Sequence, residues 1–260
     1  MTQSKMLLAV SVGTAEPEAL AHDLLPAEQA LAAAFPDRGF HRAFVSPAVL
    51  RRLADGGTPE ERPDEALQTL LQAGARDILV QPLMLTPGDA WTKLTAALRA
   101  VAGDVTLRLG APLLDKPADL LKTAAALAQT LPPMEGDKVI LYAAHGLPDG
   151  ESGLCAELDA AFRALHRFDV RVGVLNGRPG PDALLQGISS NVRRVQLRPL
   201  MLTAGRHARH DLAGDWAAQF RAAGLETDCV LEGLGANPGV RELFCRHAKN
   251  AAPYPAPLDP

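Results

Sequence analysis

The chain has 260 residues, 47% of them apolar and 22% charged, a globular composition that excludes the disordered and fibrous classes. Lys plus Arg number 26 against 30 for Asp plus Glu, so a net charge of −4 leaves no broad basic face and argues against nucleic acid as a partner. The longest apolar candidate, residues 123–134, falls short of the about 20 residues a membrane span needs and carries Pro132 and Pro133, so no membrane partner is expected.

In chain order, residues 6–12 read as a strand, 17–34 as a helix, 41–45 as a strand, 64–73 as a helix, 77–85 as a strand and 89–101 as a helix. A strand at 106–109 and a helix at 117–131 complete the first half, and 131–137 is the expected linker. The second half repeats the alternation, with strands at 138–144, 170–175, 192–202 and 229–231 and helices at 154–166, 181–189, 211–223 and 238–249. Proline or aspartate opens several of these helices. The pattern predicts an α/β fold of two similar lobes, each a four-stranded parallel sheet flanked by helices, with a cleft between them. The expected division is 1–133 for the N-terminal lobe, 134–250 for the C-terminal lobe and 251–260 for a flexible tail containing Pro253, Pro255, Pro257 and Pro260.

The halves also share words. Gln81-Pro-Leu-Met-Leu-Thr-Pro-Gly88 recurs as Arg198-Pro-Leu-Met-Leu-Thr-Ala-Gly205, an offset of 117 residues. The strands opening each half run into Val10-Ser-Val-Gly-Thr14 and Ala143-Ala-His-Gly-Leu147. Matching the copies sets Val12 opposite His145 and Ala90 opposite His207, each just past the carboxyl end of a predicted strand. In open parallel sheets that edge is where ligands bind.

His145 precedes Gly146, where a small residue lets backbone and ligand approach closely. His207 lies in Gly205-Arg-His-Ala-Arg-His-Asp211, with Arg206, Arg209, His210 and Asp211 around it. Two strand-end imidazoles suit borderline divalent ions such as cobalt, iron, nickel or zinc, whereas a closed structural zinc site would need four ligands in tight local pairs. His22, His41, His166 and His247 sit in helix or strand patterns without partners and read as structural or surface residues. Cys155, Cys229 and Cys245 form an odd set with no CxxC spacing, which indicates neither a disulfide framework nor a thiolate metal site and fits a reducing cytoplasm. The opening residues, interrupted by Ser11, Gly13 and Thr14, read as a strand and turn rather than an export signal. No GxxxxGK[ST] loop, GxSxG elbow or HExxH helix occurs, so neither ATP-driven chemistry nor hydrolysis is indicated. Basic residues gather at His41-Arg42, Arg51-Arg52 and 206–209, where guanidinium forks suit a ligand with several carboxylates; Arg51 and Arg52 equally suit a solvated surface.

An ordered set of segments resembles the anaerobic sirohydrochlorin cobaltochelatases, class II tetrapyrrole chelatases related to the protoporphyrin ferrochelatases. The set comprises Val10-Ser-Val-Gly-Thr14, Arg42-Ala-Phe44, Leu109-Gly-Ala-Pro-Leu-Leu114, His145-Gly146, Pro199-Leu-Met-Leu-Thr-Ala-Gly205 followed by His207, and Gly233-Leu-Gly-Ala-Asn-Pro238, and it spans nearly the whole chain. The resemblance implies a chelatase-like pair of lobes, a tetrapyrrole held between them, and His145 and His207 as catalytic residues and metal ligands. The substrate contacts expected beside them are Val12, Gly13, Asp89, Ala90, Trp91, Gly146 and His210, with Arg42 and Arg206 on peripheral carboxylates.

The chain departs from the family pattern at three places. Gly88-Asp-Ala-Trp91 carries Ala90 where the family has a glutamate, with Asp89 as a differently pointed substitute. Ala236 replaces an acidic residue, and His210 stands where asparagine is more usual, as a third nitrogen ligand or a base. The expected activity is ATP-independent insertion of Co2+, with Fe2+ toward sirohaem as the alternative metal; no cofactor is permanently bound, and divalent cobalt or iron is a substrate. Sirohydrochlorin, or a related tetrapyrrole, and the metal ion are the expected partners. Homo-oligomer formation is left open, since no heptad or long apolar edge stands out. Two other readings share the architecture: a degenerate chelatase that only binds tetrapyrrole or metal, supported by Ala90, and a two-lobed solute binder, which would lack the histidines.

Overall fold

Residues 7–10, 78–80 and 139–144 are almost wholly apolar, and each run becomes a central strand covered on both faces. A computed structural model describes residues 4–101, 104–146 and 153–254. Its first half comprises β1 (Lys5–Ser11), α1 (Pro17–Ala19) passing through a π-helical turn (Leu20–Leu24) into α2 (Leu25–Ala34), β2 (Gly39–Phe44), α3 (Pro47–Asp55) and α4 (Pro63–Gln72). There follow β3 (Asp77–Leu83), α5 (Asp89–Arg99), β4 (Thr106–Leu109) and α6 (Pro117–Ala128). The second half runs β5 (Lys138–Ala144), α7 (Gly153–Ala164), β6 (Val170–Val174), α8 (Pro181–Gln186), β7 (Arg194–Pro199), a π-helical stretch (Ala208–Trp216), α9 (Ala217–Ala222) and β8 (Glu226–Cys229). Two further elements, α10 (Pro238–Lys249) and β9 (Ala252–Pro253), close the described chain.

The strand orders are β2-β1-β3-β4-β9 and β6-β5-β7-β8. All pairings are parallel except β4 with β9. The shared words of the two halves occupy equivalent registers: Val10 pairs with Pro82 in the first sheet and Ala143 with Pro199 in the second. The match of Val12 with His145 is thus a match of position in the fold.

Alternation along the strands divides the core into three parts. Leu8, Val10, Ile78 and Val80 face an outer layer with Leu67 of α4 and Leu94 and Leu98 of α5. Val139, Leu141, Val195 and Leu197 face Leu184 of α8, Trp216 and Phe220 of α9. The opposite strand faces, carrying Leu7, Leu79, Ile140 and Tyr142, belong to one continuous cluster with residues of α2, α6, α7 and α10, including Leu31, Leu127, Phe162 and Phe244. The lobes therefore share an inner layer of helices.

Helix α10 follows the second sheet in sequence but packs on α2, α6 and β3 of the first. Its N-terminus is set by Pro238 and by the Asn237 side chain, which accepts from the Val240 N–H at 3.1 Å. Beyond it the chain reaches the open edge of β4, so the first sheet has five strands instead of the expected four. Residues 251–254 are accordingly not a loose tail: the Tyr254 N–H donates to the Leu107 carbonyl at 2.9 Å, pairing groups that a bare edge would leave free. Pro255, Pro257, Pro260 and Leu147 lie outside the described residues.

Periodicity missed α3, a nine-residue helix capped by Ser46 in which no residue is fully buried. It also missed the two π-helical stretches, which a 3.6-residue template does not announce. No described helix is long and apolar enough to cross a membrane.

Because Phe244 of α10 is 1% exposed and packs in the layer shared by both lobes, Phe244→Ala is expected to destabilise the protein by about 3–5 kcal/mol. Both lobes should still unfold in a single transition, which denaturant titration followed by circular dichroism would show.

Candidate metal centre

Parallel pairing of β5 with β7 delivers two loops to one edge of the second sheet. His145 is the first residue beyond β5, and its carbonyl accepts from the Asn176 N–H at 3.2 Å, while the preceding carbonyl of Ala144 accepts from Leu175 at 2.8 Å. Gly146 has φ 131°, and a Cβ there would stand 2.7 Å from the Asn176 carbonyl oxygen, so the turn past His145 requires glycine. On the neighbouring strand, the Leu200 N–H donates to the Ala143 carbonyl at 2.8 Å, tying the start of the second loop back to β5.

The two imidazoles meet with ring centroids 4.3 Å apart and planes at 77°. His207 donates from Nδ1 to Asp211 Oδ2 at 2.6 Å, one helical turn on. That bond fixes the tautomer and leaves Nε2 as the lone-pair nitrogen. The Asp211 partnership was readable as an i,i+4 spacing, although sequence alone marked Asp211 only as a neighbour. Burial holds the His145 imidazole below the ordinary histidine range, and the adjacent His207 adds to the effect while Asp211 opposes it. His145 is thereby favoured in the neutral form that can ligate a metal or accept a proton.

From the first lobe, Val12 is 48% exposed at the position equivalent to His145. Gly13 has φ 83° and lies so close to Phe44 that a Cβ would approach its Cγ to 2.6 Å. The carboxyl edges of the two sheets converge here. Thr14 Oγ1 lies 3.5 Å from where a Gly205 Cβ would be, and Arg209 reaches Glu18 Oε2 at 2.6 Å.

Other expected contacts fare differently. Arg206 is exposed and forms no ion pair among the described residues. Arg42 is not free: it donates to the buried Glu28 at 2.5 Å, reaches Glu60 at 3.5 Å, and lies 6.0 Å from the Phe44 ring centroid. The Asp89 side chain is 84% exposed and sits 3.3 Å from Lys93 Nζ. Ala90 and Trp91 are half-buried against the outer core of the first sheet. His210 is exposed, and among the described residues no group of three His, Cys, Asp or Glu side chains is arranged to hold a metal. Arg51 and Arg52 are exposed on α3.

Residues 5–253 match the family model described as cobalt chelatase (CbiK). The chain is 35% identical over 254 residues to a sirohydrochlorin cobaltochelatase of Salmonella typhimurium, covering 95% of this chain and 96% of that protein. It is 30% identical over 222 residues to the sirohydrochlorin cobaltochelatase CbiKC of Nitratidesulfovibrio vulgaris, covering 82% and 78%. In fold it is similar to SirB from Bacillus subtilis with Fe3+, with a TM-score of 0.67 at 13% identity over 95% of each chain.

Burial pushes the Glu28 carboxyl from 4.5 up to about 7, against the pull of Arg42. A carboxyl that holds its proton more tightly when folded contributes stability that is complete below pH 4.5 and is lost as pH rises through about 7. Thermal unfolding is expected to show this fall, about 3 kcal/mol at most, and Glu28→Gln to remove its slope between those pH values.

Proposed function

The chain belongs to the cobalt chelatase (CbiK) family, and from that membership and its paired imidazoles we infer that it inserts cobalt(II) into sirohydrochlorin. The observation that carries the reading is the meeting of His145 and His207 at the adjoining ends of β5 and β7.

Insertion exchanges the two inner N–H protons of a free tetrapyrrole for one divalent ion. No electron changes hands, and no nucleotide enters the balance. The protein must hold the ion while it sheds water and must receive protons from the ring. His145, kept neutral by its surroundings, suits either task. His207 presents Nε2 because Asp211 occupies Nδ1. Imidazole nitrogen suits cobalt(II), and the few ligands supplied by the protein leave coordination positions for the macrocycle. Val12 offers an apolar contact for the ring face, and Arg206 offers a fork for peripheral carboxylates.

Absorption spectroscopy with sirohydrochlorin and cobalt(II) in excess over protein is expected to show repeated turnovers, whereas a carrier stops at one equivalent. His145→Ala or His207→Ala should lower kcat/KM at least about 100-fold with the far-ultraviolet circular dichroism unchanged. Undiminished insertion in either variant overturns the reading. Asp211→Asn should weaken cobalt(II) binding about tenfold in a competition titration, because an amide no longer fixes the His207 tautomer.

A further inference from the structure

We infer that Asp23, a residue of the first lobe, is a positioning residue for the loop of the second lobe that carries His207; the inference rests on the chelatase reading above. Asp23 lies in the π-helical turn Leu20–Leu24 and is 2% exposed. Its two carboxylate oxygens are used by two different loops. Oδ2 accepts from the Ala204 N–H at 2.7 Å, and Oδ1 accepts from the Gly233 N–H at 3.0 Å.

Ala204 is buried and stands three residues before His207. The same loop is fastened on its other side, where the Leu234 N–H donates to the Met201 carbonyl at 2.8 Å and the Gly235 N–H to the Leu202 carbonyl at 3.0 Å. Residues 201–204 are thus gripped between the loop after β8 and a carboxylate from the opposite lobe. Gly233 leaves the room for this grip, since a Cβ there would come within 2.4 Å of the Leu202 carbonyl oxygen and 2.6 Å of Asp23 Oδ2.

Aspartate suits the place because it offers only acceptors to two N–H donors. An asparagine would accept one and turn its own donor toward the other, leaving a buried N–H unpaired. Burial, with Glu232 adding, pushes the Asp23 carboxyl above its ordinary range against the two N–H groups and His22, so the contact is a costly way to join lobes. What it supplies is register. A cavity of about 350 Å³ opens beside the junction, lined in part by Glu18, His22, Ala204, Arg209 and Glu232, so a loop released by Asp23 has space to move.

The test compares Asp23→Asn with Asn237→Ala in the full chain. Asn237 joins the lobes elsewhere: it donates to the Ala126 carbonyl at 3.2 Å and to Thr130 Oγ1 at 3.0 Å, and among the described residues its side chain makes no hydrogen bond to residues 201–204. Cobalt(II) affinity, the visible spectrum of bound cobalt(II), kcat for insertion and the melting temperature are read for each variant. Asp23→Asn is expected to weaken cobalt(II) binding and lower kcat at least about tenfold, to alter the cobalt spectrum, and to leave KM for sirohydrochlorin within about twofold. Asn237→Ala should lower the melting temperature alone. Asp23→Glu, which keeps both acceptor oxygens but sets them one methylene farther out, should move the same loop, alter the cobalt spectrum as Asp23→Asn does, and serves where that variant fails to fold. If Asp23→Asn or Asp23→Glu lowers only the melting temperature, the positioning role is wrong while the chelatase reading stands. If His207→Ala leaves wild-type cobalt(II) binding unchanged, the chelatase reading fails, and this inference with it.

Discussion

His145 and His207 meet because β5 and β7 lie side by side and point the same way. Parallel neighbours release their chains at the same edge, so residues 62 positions apart in sequence become facing imidazoles without any long excursion of the backbone. Hydrogen bonds between the strands continue past their ends, through Leu200 to Ala143 and Leu175 to Ala144, and extend the order of the sheet into the loops. The first sheet has the same pairing between β1 and β3. Its equivalent of His145 is Val12, an apolar side chain at the edge. One architecture has been used twice, with an imidazole at this edge in one copy and an apolar side chain in the other.

The junction between the copies is built from unlike interactions. An inner layer of α2, α6, α7 and α10 is apolar and shared, which makes the lobes one cooperative body. Near the loop that carries His207 the contacts become polar and directional: Asp23 with two backbone N–H groups and Arg209 with Glu18. Apolar packing is tolerant of small displacements, whereas a carboxylate shared between two N–H donors is not. The placement of the directional contacts at the carboxyl edges matches the need for defined ligand geometry there.

Much of this was legible in the amino-acid order because burial on both faces writes itself as continuous apolar runs, as in β1 and β5. The repeated Pro-Leu-Met-Leu-Thr words aligned the two halves and set Val12 opposite His145 and Ala90 opposite His207, each just past the carboxyl end of a strand. Contacts that depend on distant residues were not legible. Arg42 was assigned to the ligand because nothing near it in sequence marks Glu28, fourteen residues away, as its buried partner. Asp23 lies 181 residues from Ala204, so a helical aspartate gave no sign of its role. The return of α10 to the first sheet was likewise hidden, because an amphipathic helix specifies that it will be covered but not by which lobe.

That return bears on how the protein is made. About 110 residues separate the end of α6 from the start of α10, and they must be translated before the first sheet receives its last helix and strand. At ordinary elongation rates the wait is roughly 5–20 seconds. During it the nascent first lobe lacks the cover that α10 gives to α2 and to the part of α6 that α7 does not reach. A ribosome stalled within the second lobe would leave that surface to the chaperones.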